Sequence, residues 1–433
     1  MPHLARFQFE SYEFASCEMN QRPAQLPARS MGEGIAVSTL VLAVGSFTVI
    51  GASAISPLIS ASLGLSEVGV GAIASVAYFG ALLTAPISGM ITDRSGPARM
   101  ILVGLLLLGM GNLIAGLAWQ IAVLYIGIMV AGFGYGAINP ATTVLANPVG
   151  ARRRALVMSA KQAGVPAGGM AAGAVLPVLG LAFGWRYAFG LSMLICLIVA
   201  LSIAIRGGYV AKSESSVRIR VRQGRRLRLP LGYVFGLLIA GVQVSIFAFT
   251  AVYLVDARGY STANAGLGVS ALLLGGIFGR LFWGWLSDLF THHRLLVLEM
   301  LGLLGAACLI FLNVAPTPLV PVALIFLGIC SVGWNGVYIA VVAESSERDQ
   351  IGKSTGMSLT LINIGAITLP LAVGALVNAT SSWAAGLLFL AALSTLATVV
   401  CWISSQKNEP LTQPLGSASQ PYEPFEPIEP SLG

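Results

Sequence analysis

Charge is what this 433-residue sequence has least of. Asp, Glu, Lys and Arg together make up 9% of it against 56% hydrophobic residues, too little polar surface to clothe a soluble globule. Histidine is scarcer still, and His3, His292 and His293 all fall outside the apolar segments. No paired acids, no nucleophile with a base and no phosphate-cradling glycine loop share a depth, which argues against a membrane-embedded enzyme and against a resident metal or cofactor. The five cysteines, Cys17, Cys196, Cys308, Cys330 and Cys401, are odd in number and lack metal-ligand spacing. Four of them sit in apolar segments and act there as small apolar residues. No apolar core with a cleavage site precedes the first such segment, so no secretory signal is expected, and Met31 offers a second start for translation.

Apolar length, by contrast, is abundant. Segments able to cross about 30 Å of hydrocarbon run over 35–59, 68–91, 100–118, 121–145, 155–180 and 186–205, and again over 231–254, 264–286, 295–313, 319–343, 354–378 and 383–404. This predicts an all-α membrane protein of twelve transmembrane helices. Around them the sequence divides into an N-terminal tail (1–33), a six-helix bundle (34–205), a basic linker (206–230), a second six-helix bundle (231–404) and a C-terminal tail (405–433) that repeats Glu-Pro and favours extended chain.

The two bundles are copies. Ser66, Gly71, Gly80, Gly89 and Asp93 recur at one constant offset as Ser261, Gly266, Gly275, Gly284 and Asp288, and Gly134, Ser159 and Trp185 recur as Gly333, Ser358 and Trp383. Duplicated hydrophobic halves mark many carriers, because two similar bundles rocking about a central site expose it to either side in turn.

Basic residues orient the chain. Of the 24 Lys and Arg, all but four fall on the side that holds both termini; Arg186 and Arg258 lie opposite, and Lys161 and Arg280 lie inside spans. Lys and Arg beside spans are retained in the cytoplasm, so both termini are expected there, in a cytoplasmic (inner) membrane. The formal charge of +7 is dispersed over short loops and a linker that can rest on anionic lipid, which speaks for the bilayer and against a nucleic-acid partner.

The loop Gly89-Met-Ile-Thr-Asp93-Arg94-Ser-Gly96-Pro-Ala-Arg99 resembles the signature between spans two and three of the major facilitator superfamily. The resemblance implies two pseudo-symmetric six-helix halves and a cytoplasmic latch made by Asp93, Arg94 and Arg99. Gly89 would allow close helix packing and Gly96 a tight turn. In the second copy Asp288 keeps its place, but Leu289-Phe-Thr-His292-His293-Arg294 lacks the arginine and the turn glycine, so the latch role extends to Asp288 less firmly.

A substrate breaks symmetry, and the copies differ at Arg280, where the first has Ala85, and at Lys161, where the second has Thr360. A cation deep in a span costs about 2.5–3.5 kcal/mol on insertion scales, so it faces a partner or a wet cavity. Both lie about six residues, or about 9 Å, from their cytoplasmic ends. In the facilitator fold spans five and eight face each other across the halves, which would bring the two cations together and invite an anion between them. The alternatives are snorkelling of Lys161 and pairing of Arg280 with Glu299 or Asp288. Span eight, Gly279-Arg280-Leu-Phe-Trp-Gly284, is similar to that of oxalate/formate and monocarboxylate carriers, whose arginine holds the substrate carboxylate. Span five, Lys161-Gln162-Ala-Gly164-Val-Pro166-Ala-Gly168-Gly169, is similar to cyanate-permease-like carriers.

Other candidates for the cavity are Tyr78, Asn139, Gln162, Gln243, Trp334, Asn335 and Tyr338, together with Asn363, since amides in lipid need inward partners. Each could equally bond helix to helix. Only Glu299 is an embedded acid, and a shallow one, so it is the coupling candidate for proton symport, with exchange against a counter-anion as the other route. The expectation is therefore a monomeric secondary transporter that imports a small organic anion, a mono- or dicarboxylate or an aromatic acid. A drug or metabolite exporter of the same superfamily stays open, although span one carries no acid and the glycines after Pro166 are shifted by a residue from the exporter pattern.

Overall fold

The computed structural model describes residues 28–146, 154–205, 229–290, 294–346 and 351–406. The expected tails and the linker lie almost wholly outside these residues. Among them there is no strand, and twelve helices are long and apolar enough to cross a membrane. These are span one Gly32–Ala54, two Glu67–Thr92, three Pro97–Gly116, four Ile121–Leu145, five Met158–Phe183 and six Trp185–Ile205. Spans seven to twelve are Leu231–Asp256, Thr262–Leu289, Arg294–Val314, Thr317–Val342, Gly356–Thr380 and Trp383–Ser404. The first segment does not run unbroken to residue 59 as expected. Its helix stops at Ala54 and resumes as Ser56–Leu63, with Pro57 in the first turn of the second piece, where a missing N–H costs nothing.

Several recurring residues of the duplication have a structural job. Ser66 and Ser261 cap spans two and eight, accepting from Gly69 N at 3.4 Å and Asn264 N at 3.3 Å. Gly71 and Gly266 bring the halves together at the end of the bundle away from the termini. An added Cβ would lie 2.6 Å from the Pro370 carbonyl oxygen of span eleven at Gly71, and 2.3 Å from that of Gly173 in span five at Gly266. One turn on, Ser75 Oγ donates to Ile367 O at 2.7 Å and Ser270 Oγ to Met170 O at 2.8 Å. Spans two and eleven, and spans five and eight, are thus sealed at that far end by the same serine-to-carbonyl bond used twice. Gly80 and Gly275 instead close each half on itself, Gly80 against Met129 O of span four and Gly275 against Ile325 O of span ten.

At the terminal end the copies part company. Gly284 is met by Ser159 of span five, its Oγ 2.7 Å from an added Cβ, and Gly336 of span ten is met by the same Oγ at 2.9 Å. Around an added Cβ at Gly89 no described atom lies within 4 Å. The close packing expected at Gly89 is found only at its copy, because Ser358, the counterpart of Ser159, donates to Tyr338 Oη at 2.8 Å inside its own half. Gly96 has φ of +85°, the turn that a side chain would strain.

Arg186 and Arg258, the two basic residues that depart from the charge asymmetry, both cap outer helices. Arg186 Nη2 donates to Ala118 O after span three at 2.9 Å, and its guanidinium lies 4.3 Å over the Trp185 ring. Arg258 donates to Ala315 O and Asn313 O at 3.0 Å and to Leu312 O at the end of span nine, where carbonyls otherwise lack donors, and to Tyr253 Oη of span seven. Arg258→Ala should therefore destabilise the folded carrier by about 2 kcal/mol, and Arg186→Ala, with one carbonyl at stake, by less. Thermal unfolding in detergent reads the difference, and equal Tm values for the two variants would contradict it.

Candidate functional site

The site grows from two interruptions in the helices. Span five is a short helix, Arg154–Gln162, followed by Gly164–Phe183, and span ten breaks at Gly333 between Val320–Val332 and Trp334–Ser345. Span eight fits between them because glycine lets its backbone approach span ten. An added Cβ at Gly279 would lie 2.3 Å from Ile329 O, and one at Gly328 would lie 1.8 Å from Leu272 O.

Arg280 projects from span eight into this junction and is 5% exposed. Its Nε donates to Val332 O at 3.3 Å, at the break in span ten, and its Nη1 donates to Gln162 O, at the break in span five. Among the described residues nothing accepts from Nη2. Tyr78 of span two and Tyr135 of span four are neighbours, their rings meeting edge to face at 6.3 Å.

Lys161, 1% exposed, precedes the residue whose carbonyl Arg280 takes. Its Nζ donates to Thr143 Oγ1 of span four at 2.6 Å, and Thr143 Oγ1 donates to Asn139 O at 2.9 Å. An ammonium carries three donors, and this is the one bond it makes to a described residue. Neither cation has a carboxylate beside it there. Asp288 pairs with Arg294 at 3.0 Å, and Arg294 also pairs with Glu344, which ties the terminal ends of spans eight, nine and ten within one half. Glu299 lies against span twelve, its carbonyl accepting from Thr398 Oγ1 at 3.4 Å.

The remaining sequence candidates fall into two groups. Gln243, Trp334 and Tyr338 form a buried cluster in the second half: Trp334 Nε1 donates to Gln243 Oε1 at 2.6 Å, and the Trp334 and Tyr338 rings meet edge on at 5.4 Å. Asn335 follows Trp334, and its Oδ1 is buried without a hydrogen-bond partner among the described residues. Asn139 is half-buried in span four, and Asn363 spends Nδ2 on its own helix, on Leu359 O at 2.9 Å. Gln162 contributes a backbone carbonyl. At the terminal end Arg94 and Arg99 are exposed, while the side chain of Asp93 lies outside the described residues.

Tyr135 and Thr143 were missed by the sequence reading. Their signal was there: with Asn139 they fall at i, i+4 and i+8, one polar line along an apolar helix. The Val332 and Gln162 carbonyls carry no side-chain signature at all. Two small internal cavities, of about 10 and 20 Å³, lie inside the separate halves and not at this junction. One is lined by Thr48 and Asn112 among others, the other by Ser245 and Thr250, and each is about the size of a water molecule.

The family model described as Major Facilitator Superfamily matches residues 35–234 and 233–429. The gentisate transporter of Corynebacterium glutamicum is 28% identical over 337 residues, 72% of this chain and 73% of that protein. The hexuronate transporter of Bacillus subtilis is 23% identical over 373 residues, 79% and 87%. The 3-(3-hydroxy-phenyl)propionate transporter of Escherichia coli is 25% identical over 327 residues, 73% and 79%. Among solved structures, a bacterial homolog of the human lysosomal transporter Spinster, inward-facing and occupied, superposes with a TM-score of 0.72 at 15% identity, covering 88% of this chain and 98% of that one. The E. coli fucose:proton symporter superposes at 0.60 and 16% identity, covering 88% and 100%.

Proposed function

This chain belongs to the Major Facilitator Superfamily, and from that membership we propose that it is a secondary carrier of a small organic anion, with Arg280 as the anchor of the substrate carboxylate. Its relatives are transporters and not enzymes, and the three compared above are named for acids. The observation that carries the reading is the Arg280 guanidinium. It is buried, has no described carboxylate partner, and has N–H donors left after its two backbone bonds. A guanidinium in that state matches a carboxylate in shape and charge. Lys161 adds a second positive charge beside the same helix break, Tyr78 flanks the anion, and Asn139 and Asn335 orient the rest of the ligand, while Gln243 acts by holding Trp334.

Both seams are bonded at the end away from the termini, and the Ser159 contact of Gly284 has no counterpart around Gly89 among the described residues, which supports entry of the ligand from the side of the termini. With the termini cytoplasmic, an importer would release its substrate from such an inward-directed conformation, and Asp93, Arg94 and Arg99 would latch the opposite one. A proton on Glu299 or a counter-anion completes the cycle. The test is uptake into proteoliposomes of labelled aromatic acids, sugar acids and dicarboxylates alongside lipophilic cations and neutral sugars. Saturable uptake confined to acids is expected. Movement of a lipophilic cation with no acid transported would hand the protein to the exporter class.

A further inference from the structure

The bond from Arg280 to span five depends on a residue four positions beyond the carbonyl that it takes. In an uninterrupted α-helix the N–H of residue 166 would donate to the carbonyl of residue 162. Pro166 has no N–H. The flanking bonds survive, Ala163 N to Ser159 O at 2.9 Å and Ala167 N to Ala163 O at 3.1 Å. The Gln162 carbonyl thus loses its helical donor, and it is the one that Arg280 Nη1 occupies. A buried carbonyl without a donor is costly, so it holds whatever donor can reach it.

We infer that Pro166 is a positioning residue for Arg280, freeing the Gln162 carbonyl so that the guanidinium of one half is tied to the backbone of the other until a substrate carboxylate exchanges with that tie. This rests on the reading of Arg280 as the anion anchor. Val332 O holds Nε within the second half, whereas Gln162 O holds Nη1 across the seam. A carboxylate that takes Nη1 and Nη2 as a fork makes charge-assisted bonds about twice as strong as one to a neutral carbonyl. Binding therefore releases the one bond of Arg280 that crosses between the halves. The loaded carrier is free to rock, and the empty one is restrained. Exchange of internal for external anion outruns net uptake for this reason, without any titrating group.

Pro166→Ala restores the N–H, which then competes for the Gln162 carbonyl. In proteoliposomes the ratio of exchange to net uptake should fall about tenfold, with KM for the anion raised because the guanidinium is no longer aimed; Pro166→Gly should act likewise. A second measurement needs no substrate. Ligand-free unfolding temperatures of wild type, Pro166→Ala, Arg280→Met and the double variant form a cycle, and the double change should be smaller than the sum of the singles if both remove the same tie. An exchange ratio that stays at the wild-type value, or Tm changes that simply add, overturns the inference. Coupling in the thermal cycle with no acid transported would leave the tie standing and remove the anion reading.

Discussion

Arg280→Ala is expected to lower kcat/KM for anion uptake by at least about a hundredfold while leaving the carrier folded. Truncation removes two charge-assisted bonds to the ligand, each worth about 1.5–3 kcal/mol, and about 3 kcal/mol is already more than a hundredfold. It also leaves the substrate carboxylate in a low-dielectric junction beside Lys161 alone. The fold tolerates the change, because what is lost inside the protein is one donor to each of two backbone carbonyls, Val332 O and Gln162 O, and carbonyls bear incomplete pairing better than N–H groups. Arg280→Lys keeps the charge but not the fork and should fall between wild type and alanine. Lys161→Met should cost less than Arg280→Ala, since Thr143 already engages the ammonium. Uptake kinetics set beside thermal unfolding of the same preparations checks all three, and full uptake by a well-folded Arg280→Ala carrier would remove the arginine from the site.

The second large effect concerns folding. Gly328→Val should abolish accumulation of folded carrier. An added Cβ at Gly328 would lie 1.8 Å from Leu272 O, 2.9 Å from its carbonyl carbon and 3.0 Å from Gly276 N, all backbone atoms that cannot rotate aside. Spans eight and ten would have to separate by more than an ångström, which breaks the glycine packing at Gly275 and Gly279 together. Overpacking of this kind costs about 1–3 kcal/mol where side chains can yield, and here they cannot. It would also carry Arg280 away from Val332 O, so any surviving protein should transport poorly. Gly190→Ala in span six, where no described atom lies within 4 Å of an added Cβ, is the matched control, and a gain of about 0.5–1 kcal/mol is expected from removing a helical glycine. Monodisperse protein yield on size exclusion distinguishes the two, and a normal yield for Gly328→Val would contradict backbone contact between spans eight and ten at this glycine.

Neither effect was legible to the same degree in the residues. The importance of Arg280 was visible, because a lone arginine in an apolar span is expensive wherever it points. Its partners were not. Glu299 and Asp288 were the acids within sequence reach, yet Asp288 pairs with Arg294 and Glu299 packs against span twelve, so the arginine instead engages two backbone carbonyls at helix breaks. The breaks themselves were half visible. Pro166 announces one, but Gly333 is one of 51 glycines, and nothing local marks it as the place where span ten divides. The duplicated glycines form one pattern in the sequence but take separate roles: Gly80 and Gly275 close their own halves, Gly71 and Gly266 close the halves on each other, and Gly284 meets Ser159 whereas Gly89 has no described neighbour within 4 Å.

The division has a physical cause. Spans, their number, their caps at Ser66 and Ser261 and the turn at Gly96 depend on segment hydropathy and on bonds within four residues, both of which the linear order of residues contains. The seam depends on how each helix is rotated about its own axis and how closely it approaches its neighbours. In a bilayer a span is apolar on every side, so hydropathy does not say which face turns inward. That rotation, decided only by the packing of all twelve helices, brings Lys161 to Thr143, Trp334 to Gln243 and Arg280 to the carbonyl that Pro166 leaves free.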